Sequence, residues 1–147
     1  MKNFKNLKSF KYRGIATVEF TLIAALFFFV IFAILGIARM MYIYNATVNA
    51  TRLGARLAVV CSPSAAANIK AKMVARVPGL TAANINLAYN PSGCSISTCT
   101  SITASVSNFT VSIATPASFP LGSFTIPSFR TTLVRESMDS TNNSVCN

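Results

Sequence analysis

The chain has 147 residues, with 13 Lys+Arg against 3 Asp+Glu, no His, and a formal net charge of +10. Without His, neither a Ser-His-Asp nor a Cys-His catalytic centre can be assembled, and the commonest neutral metal ligand is missing. Hydrophobic residues make up 52% and charged ones 11%, a balance that argues against a freely soluble enzyme and asks where the apolar residues sit.

They concentrate near the N-terminus. The first fourteen residues, MKNFKNLKSFKYRG, carry Lys2, Lys5, Lys8, Lys11 and Arg13 and no acid. From Phe20 to Ala38 runs FTLIAALFFFVIFAILGIA, 19 residues without a charge. As a helix this segment spans roughly 28 Å, close to the ~30 Å hydrocarbon core of a bilayer. Basic residues ahead of such a segment hold that end in the cytoplasm and send the rest across. Hydropathy alone leaves three readings open. One is a cleaved secretory signal, although 19 apolar residues exceed the ~7–15 of its usual core. The second is a plain signal anchor. The third is a leader cut off ahead of the apolar segment, which then stays on the mature protein.

The junction Arg13-Gly14-Ile15-Ala16-Thr17-Val18-Glu19-Phe20 bears on that choice. It resembles the type IV prepilin signature, a basic leader ending in Gly followed by Glu at the fifth mature position and then an aromatic. The resemblance makes Gly14 the last leader residue, Ile15 the new N-terminus, and Glu19 with Phe20 the assembly and register residues. Many type IV pilins carry Phe where this chain has Ile15. A carboxylate at the edge of hydrocarbon costs about 2.5 kcal/mol or more unless it is partnered. Cleavage after Gly14 would supply an α-amine one helical turn from Glu19, or one from a neighbouring subunit. The plainer alternative is a Glu hydrated among headgroups or favoured by the helix N-terminus.

Residues 39–60 continue without Pro, so the helix is expected to run on to Val60. Ala46, Ala50, Leu53, Leu57 and Val60 recur at 4-3-4-3 spacing and predict an apolar stripe. Asn45, Asn49, Arg52 and Arg56 fall on a second stripe, a candidate partner surface or a solvated face. The run Asn49-Ala50-x-Arg52-x-Gly54-Ala55-Arg56-x-Ala58-Val59-Val60, with Tyr44-Asn45-Ala46 before it, closely resembles TadE-like proteins. These are minor pilins, or pseudopilins, of the tight-adherence (Tad/Flp) type IV pilus system. The resemblance runs through residues 13–60 and is loose beyond. It implies a type IV pilin-like fold in which a long N-terminal helix carries a small α/β head. It also implies a prepilin peptidase, other pilin subunits and the pilus assembly platform as partners.

Beyond Val60, Cys61-Ser62-Pro63-Ser64 ends the helix. Ala65–Val77 predicts a short second helix, stopped by Pro78-Gly79. Strands are expected where Ile85, Leu87 and Tyr89 alternate, and again at Ile102, Ala104 and Val106. Phe109, Val111 and Ile113 alternate in the opposite parity, which places a bulge or tight turn at Ser107-Asn108. Residues 115–128, with Pro116, Pro120 and Pro127, read as an irregular excursion, and Phe129–Met138 as a last strand similar to the closing strand of TadE-like heads. The fold class is therefore α+β, a long transmembrane-plus-amphipathic helix packed against a small antiparallel sheet. The organisation is a basic leader (1–14), a hydrophobic transmembrane and assembly helix (15–38), its amphipathic continuation (39–60) and an exported head (61–147).

Cys61, Cys94, Cys99 and Cys146 are even in number and lie on the exported side, where oxidation is permitted. Of the three connectivities, Cys94–Cys99 with Cys61–Cys146 is favoured, because it closes a short loop and ties the C-terminal end to the end of the long helix. A zinc site is disfavoured by the CxxxxC spacing and the missing His, and no metal or other cofactor is expected. Glu136 and Asp139 read as part of a solvated terminal turn, the alternatives being a shared helix face or a weak cation site. From Ile15 onward eight cations face three acids, a net +5 without a basic run, so nucleic acid is not indicated as a partner. The function expected is that of a non-enzymatic minor pilin in the bacterial inner membrane and its pilus, concerned with assembly, adhesion or secretion. The alternative is an unprocessed, single-pass, membrane-anchored surface or periplasmic binding domain.

Overall fold

A computed structural model describes residues 8–114 and 120–146. Helix α1 covers Lys8–Val60, 53 residues. Nothing in that stretch breaks it: it holds no Pro, and its glycines are Gly14, Gly36 and Gly54. By internal contacts the chain divides into two compact units, Met1–Ala38 and Arg39–Asn147, and α1 contributes to both. In the first unit no residue from Gly14 to Ala38 is buried. Phe20 is 72% exposed and Leu22 68%, so this apolar helix is left uncovered among the described residues. Gly14–Val60 is long and apolar enough to cross a membrane, with a mean hydropathy of 2.9 in its most apolar window.

The second unit is α+β. After α1 come a 3-10 turn at Pro63–Ala65 and helix α2 over Ala66–Val74. Five strands follow: β1 Ile85–Asn90, β2 Ser101–Val106, β3 Phe109–Ala114, β4 Pro120–Ile126 and β5 Phe129–Val134. Strands β1, β2 and β5 form one antiparallel sheet in the order β1-β2-β5, with Ile85 opposite Val106 and Val106 opposite Phe129. Strands β3 and β4 form a separate antiparallel pair, Phe109 opposite Ile126. Alternation places Ile102, Ala104 and Val106 on the buried face of β2, and leaves Thr103 and Ser105 on the other.

Several expectations shift. Helix α2 is shorter than Ala65–Val77: Arg76 and Val77 donate to the Met73 and Val74 carbonyls, tightening the chain into 3-10 geometry ahead of Pro78. The tight turn at Ser107-Asn108 exists, with Asn108 at φ 54, but it carries the chain from one sheet to the other. Of the stretch read as irregular, residues 115–119, including Pro116, lie outside the described residues, and Pro120–Ile126 is a strand. Pro120 is its first residue, a position where the missing N–H is tolerated. The last strand ends at Val134, not Met138. From there the backbone turns to the C-terminal end of α1, where the Glu136 and Met138 N–H groups both donate to the Val59 carbonyl at 3.2 Å. These bonds satisfy an acceptor that a helix end leaves open. Met138 is wholly buried at φ 48, a conformation that costs a non-Gly residue about 1–3 kcal/mol.

The core gathers Ile43, Ala50, Ala58 and Val59 of α1, Ile69 and Met73 of α2, and Val77, Ile102, Val106, Phe109, Ile126 and Met138. The buried face of α1 is not the expected stripe. Ala50 is buried, but Ala46, Leu53, Leu57 and Val60 are half-buried, and the centre has moved to Thr47, Thr51, Gly54, Ala55 and Ala58. That is a rotation of roughly 100°, one residue on a helix. The two threonines can be buried because their hydroxyls donate back along the helix, Thr47 to the Ile43 carbonyl at 2.8 Å and Thr51 to the Thr47 carbonyl at 2.9 Å. At Gly54 the Met73 side chain of α2 lies directly against α1: a Cβ there would lie 2.3 Å from the Met73 sulfur.

Two disulfides complete the unit, in the pairing expected from the sequence. Cys61 is bonded to Cys146 with a Cα–Cα distance of 5.5 Å, and Cys94 to Cys99 with 4.9 Å. The C-terminal segment is also held by Ser62 N–H donating to the Ser140 hydroxyl (2.8 Å), by Asn68 Nδ2 donating to the Cys146 carbonyl (3.2 Å), and by Lys72 Nζ on the Val145 carbonyl.

Gly54→Ala should lower the unfolding free energy of the Arg39–Asn147 unit by about 1–3 kcal/mol, because the added Cβ would displace the buried Met73 side chain and overpack the core. Thermal unfolding of the full chain in detergent checks this, and Met73→Val in the same background should return part of the loss; purely additive losses would contradict the clash. The bridge at a separation of 85 residues should contribute about 4–5 kcal/mol by loop entropy, and the one at 5 residues about 2 kcal/mol. Removing each pair by Cys→Ser and measuring denaturant unfolding should give that order, and the reverse order would refute it.

Candidate functional site

The junction residues all lie on α1. Lys2 and Lys5 fall outside the described residues, and helix begins at Lys8, so the Gly14–Ile15 bond sits within helical backbone. Ile15 is 55% exposed and Phe20 72%, and Glu19 is exposed as well. Among the described residues nothing lies within 4 Å of the position a Cβ would take on Gly14, so no packing shown there requires a glycine. Its effect is to weaken the helix locally, by about 1 kcal/mol relative to Ala.

Ile15 and Glu19 are four residues apart and therefore share one face of α1. Because α1 starts at Lys8 its first turn holds no acid, and Glu19 lies well inside the helix. The favourable end of the helix dipole, which fades within the first turn, does not reach it there. A helix starting at Ile15 would bring Glu19 close to that end and set it beside the new amine.

One residue here escaped the sequence reading. The Thr17 hydroxyl donates to the Gly14 carbonyl at 2.8 Å, and the Thr21 hydroxyl reaches the Thr17 carbonyl at 2.8 Å and the Val18 carbonyl at 2.9 Å. A threonine between Ala16 and Val18 gives no periodic or motif signal. Its significance comes from which carbonyl it reaches.

Asn45, Asn49, Arg52 and Arg56 are exposed together along α1, within the Arg39–Asn147 unit. Asn45 Nδ2 donates to the Met41 carbonyl at 3.0 Å. Asn45 and Asn49, with Tyr42, Ala46, Ala50, Leu53 and the α2-end residue Arg76, line a shallow groove of about 460 Å³. Arg52 and Arg56 do not line it. A groove edged by amides and one guanidinium offers hydrogen-bond donors and positive charge.

The cysteines hold no metal, since all four sulfurs are spent in disulfides. Glu136 and Asp139 share no helix. The Asp139 carboxylate instead accepts the Thr141 N–H at 2.8 Å, and that bond holds its pKa below the ordinary carboxylate value. The Asp139 carboxylate thus serves a local turn.

Residues 14–56 match the family model described as TadE-like protein. The match covers less than a third of the chain and starts at Gly14. No curated protein and no solved structure matches the chain. Over these residues the chain is similar to TadE-like proteins, and the matched stretch lies within the apolar helix α1.

Proposed function

We propose, from the TadE-like character of residues 14–56, that the chain is a minor pilin or pseudopilin of a type IVb tight-adherence pilus, cut by a prepilin peptidase between Gly14 and Ile15. The observation that carries this reading is where the match begins: at Gly14, the residue at which the basic leader ends. The match takes in the Gly14-Ile15 junction together with Glu19 and leaves out the basic run from Lys2 to Arg13.

The helix after Ile15 sits in the inner membrane with the leader on the cytoplasmic side, and residues 61–147 are exported. On assembly the exposed side chains between Ile15 and Ile37 leave lipid for contact with the same region of neighbouring subunits. Surfaces that lipid and protein both satisfy need no large rearrangement for that exchange. Glu19 pairs with an Ile15 amine, its own or a neighbour's, and so sets the axial register of the bundle. The head is structural or adhesive and not an enzyme. Its disulfides suit an oxidising compartment, and the amide-edged groove beside Arg76 gives it a polar contact surface. The partners are the bilayer, the peptidase, other pilin subunits and the assembly platform.

N-terminal sequencing of protein recovered from membranes with and without a prepilin peptidase tests the reading. A peptidase-dependent start at Ile15 is expected; a start at Met1 in both would leave an unprocessed, membrane-anchored binding domain. Glu19→Ala should leave membrane insertion intact and reduce filament incorporation roughly tenfold or more, the scale of removing one partner from a water-poor ion pair. Normal incorporation would remove Glu19 from the assembly contact.

A further inference from the structure

The Gly14 carbonyl is the group a peptidase must attack to release the leader, and in this structure it is doubly engaged. As a member of α1 it faces the Val18 N–H of the helical ladder, and it also accepts the Thr17 hydroxyl at 2.8 Å. A carbonyl oxygen has two lone pairs, so both of its acceptor sites are taken. Hydrolysis needs that group free. Water adds to the Gly14 carbonyl carbon, the oxygen passes through an oxyanion, and the bond to the Ile15 nitrogen breaks. The nitrogen leaves with a proton as the new α-amine, and Gly14 keeps the carboxylate. Before any of this, the helix must open around the bond, since six residues of α1 precede Gly14. Gly14 lowers the cost of opening, because it lacks a Cβ and, among the described residues, nothing packs where one would be.

We infer that Thr17 is a positioning residue for leader removal, its hydroxyl holding the scissile carbonyl of Gly14 in the helix as a second lock beside the ladder bond. This rests on the cleavage site proposed above. When the Val18 N–H lets go, the Thr17 hydroxyl still holds the oxygen in its helical position, so productive opening requires both bonds to break. Thr21 extends the same device by one turn, reaching the Thr17 and Val18 carbonyls, but it does not touch the scissile group. Thr17 therefore sets how often the bond is presented, while the Gly14 backbone sets how easily it bends.

The test uses the full-length chain in detergent with a purified prepilin peptidase, comparing wild type, Thr17→Val and Thr17→Ser. Valine keeps the branched shape and removes the hydroxyl; serine keeps the hydroxyl. Thr17→Val should be cleaved about two- to tenfold faster in kcat/KM, the range of one net hydrogen bond, with Thr17→Ser close to wild type. Hydrogen exchange at the Val18 amide, read without peptidase, should quicken by a similar factor in Thr17→Val alone. Unchanged or slower cleavage of Thr17→Val would overturn the inference even if wild type is processed normally at Ile15. Faster cleavage with unchanged Val18 exchange would overturn it too, because the effect would then lie in the peptidase's own contacts. A wild-type chain that is not cut at Gly14 would instead defeat the proposed function, and this inference with it.

Discussion

The seating of the Met73 side chain against α1 at Gly54 organises the core of the head. A Cβ there would lie 2.3 Å from the Met73 sulfur, so any larger residue would take the space that this side chain fills. Around it the buried surface of α1 is built from small residues, Ala50, Ala55 and Ala58, with Thr47 and Thr51 between them. Small residues bury little apolar area themselves. What they leave is room for the side chains of α2, so that Ile69 and Met73 join the same core as Ile102, Val106 and Met138. The sheets and the C-terminal segment are arranged about that seam, and the Val59 carbonyl with its two donors closes its far end.

Much of this fold was readable in the residues. Pro63 after Cys61-Ser62 marked the end of α1, and the alternations at Ile85, Leu87, Tyr89 and at Ile102, Ala104, Val106 marked two strands and their inward faces. The core face of α1 was misplaced because hydrophobicity alone located it. Thr47 and Thr51 look polar until their hydroxyls are seen to be satisfied within the helix, and Gly54 looks like a weak point until Met73 is beside it. Strand β4 was missed because Pro120 and Pro127 bracket it, and prolines at the margins of a strand read like prolines within a loop. The late part of the fold depends on pairings between distant residues that no local pattern encodes.

The N-terminal site was legible as a motif but not as a geometry. Gly14, Ile15, Glu19 and Phe20 stand out through their spacing after a basic run. What the motif does not convey is that α1 already runs from Lys8, so that the junction lies within helical backbone. Glu19 then has two electrostatic settings: within a longer helix it is remote from the dipole, and in a helix starting at Ile15 it lies near the positive end and an amine. Removing the leader would not merely shorten the chain. In the proposed processing it would also give the Glu19 carboxylate a new amine one helical turn away.

The bridge from Cys61 to Cys146 also determines how the head carries load. It joins the residue directly after α1 to the far end of the described chain, making residues 61–146 a covalent ring. Tension applied along α1 and taken out near Cys146 passes through a sulfur–sulfur bond and bypasses every strand. Tension taken out at the β3–β4 pair must instead enter the ring and divide between its two arms, the route through α2 and the route back through β5. A pull on the head is therefore shared between two strands of chain, and neither sheet has to bear it alone.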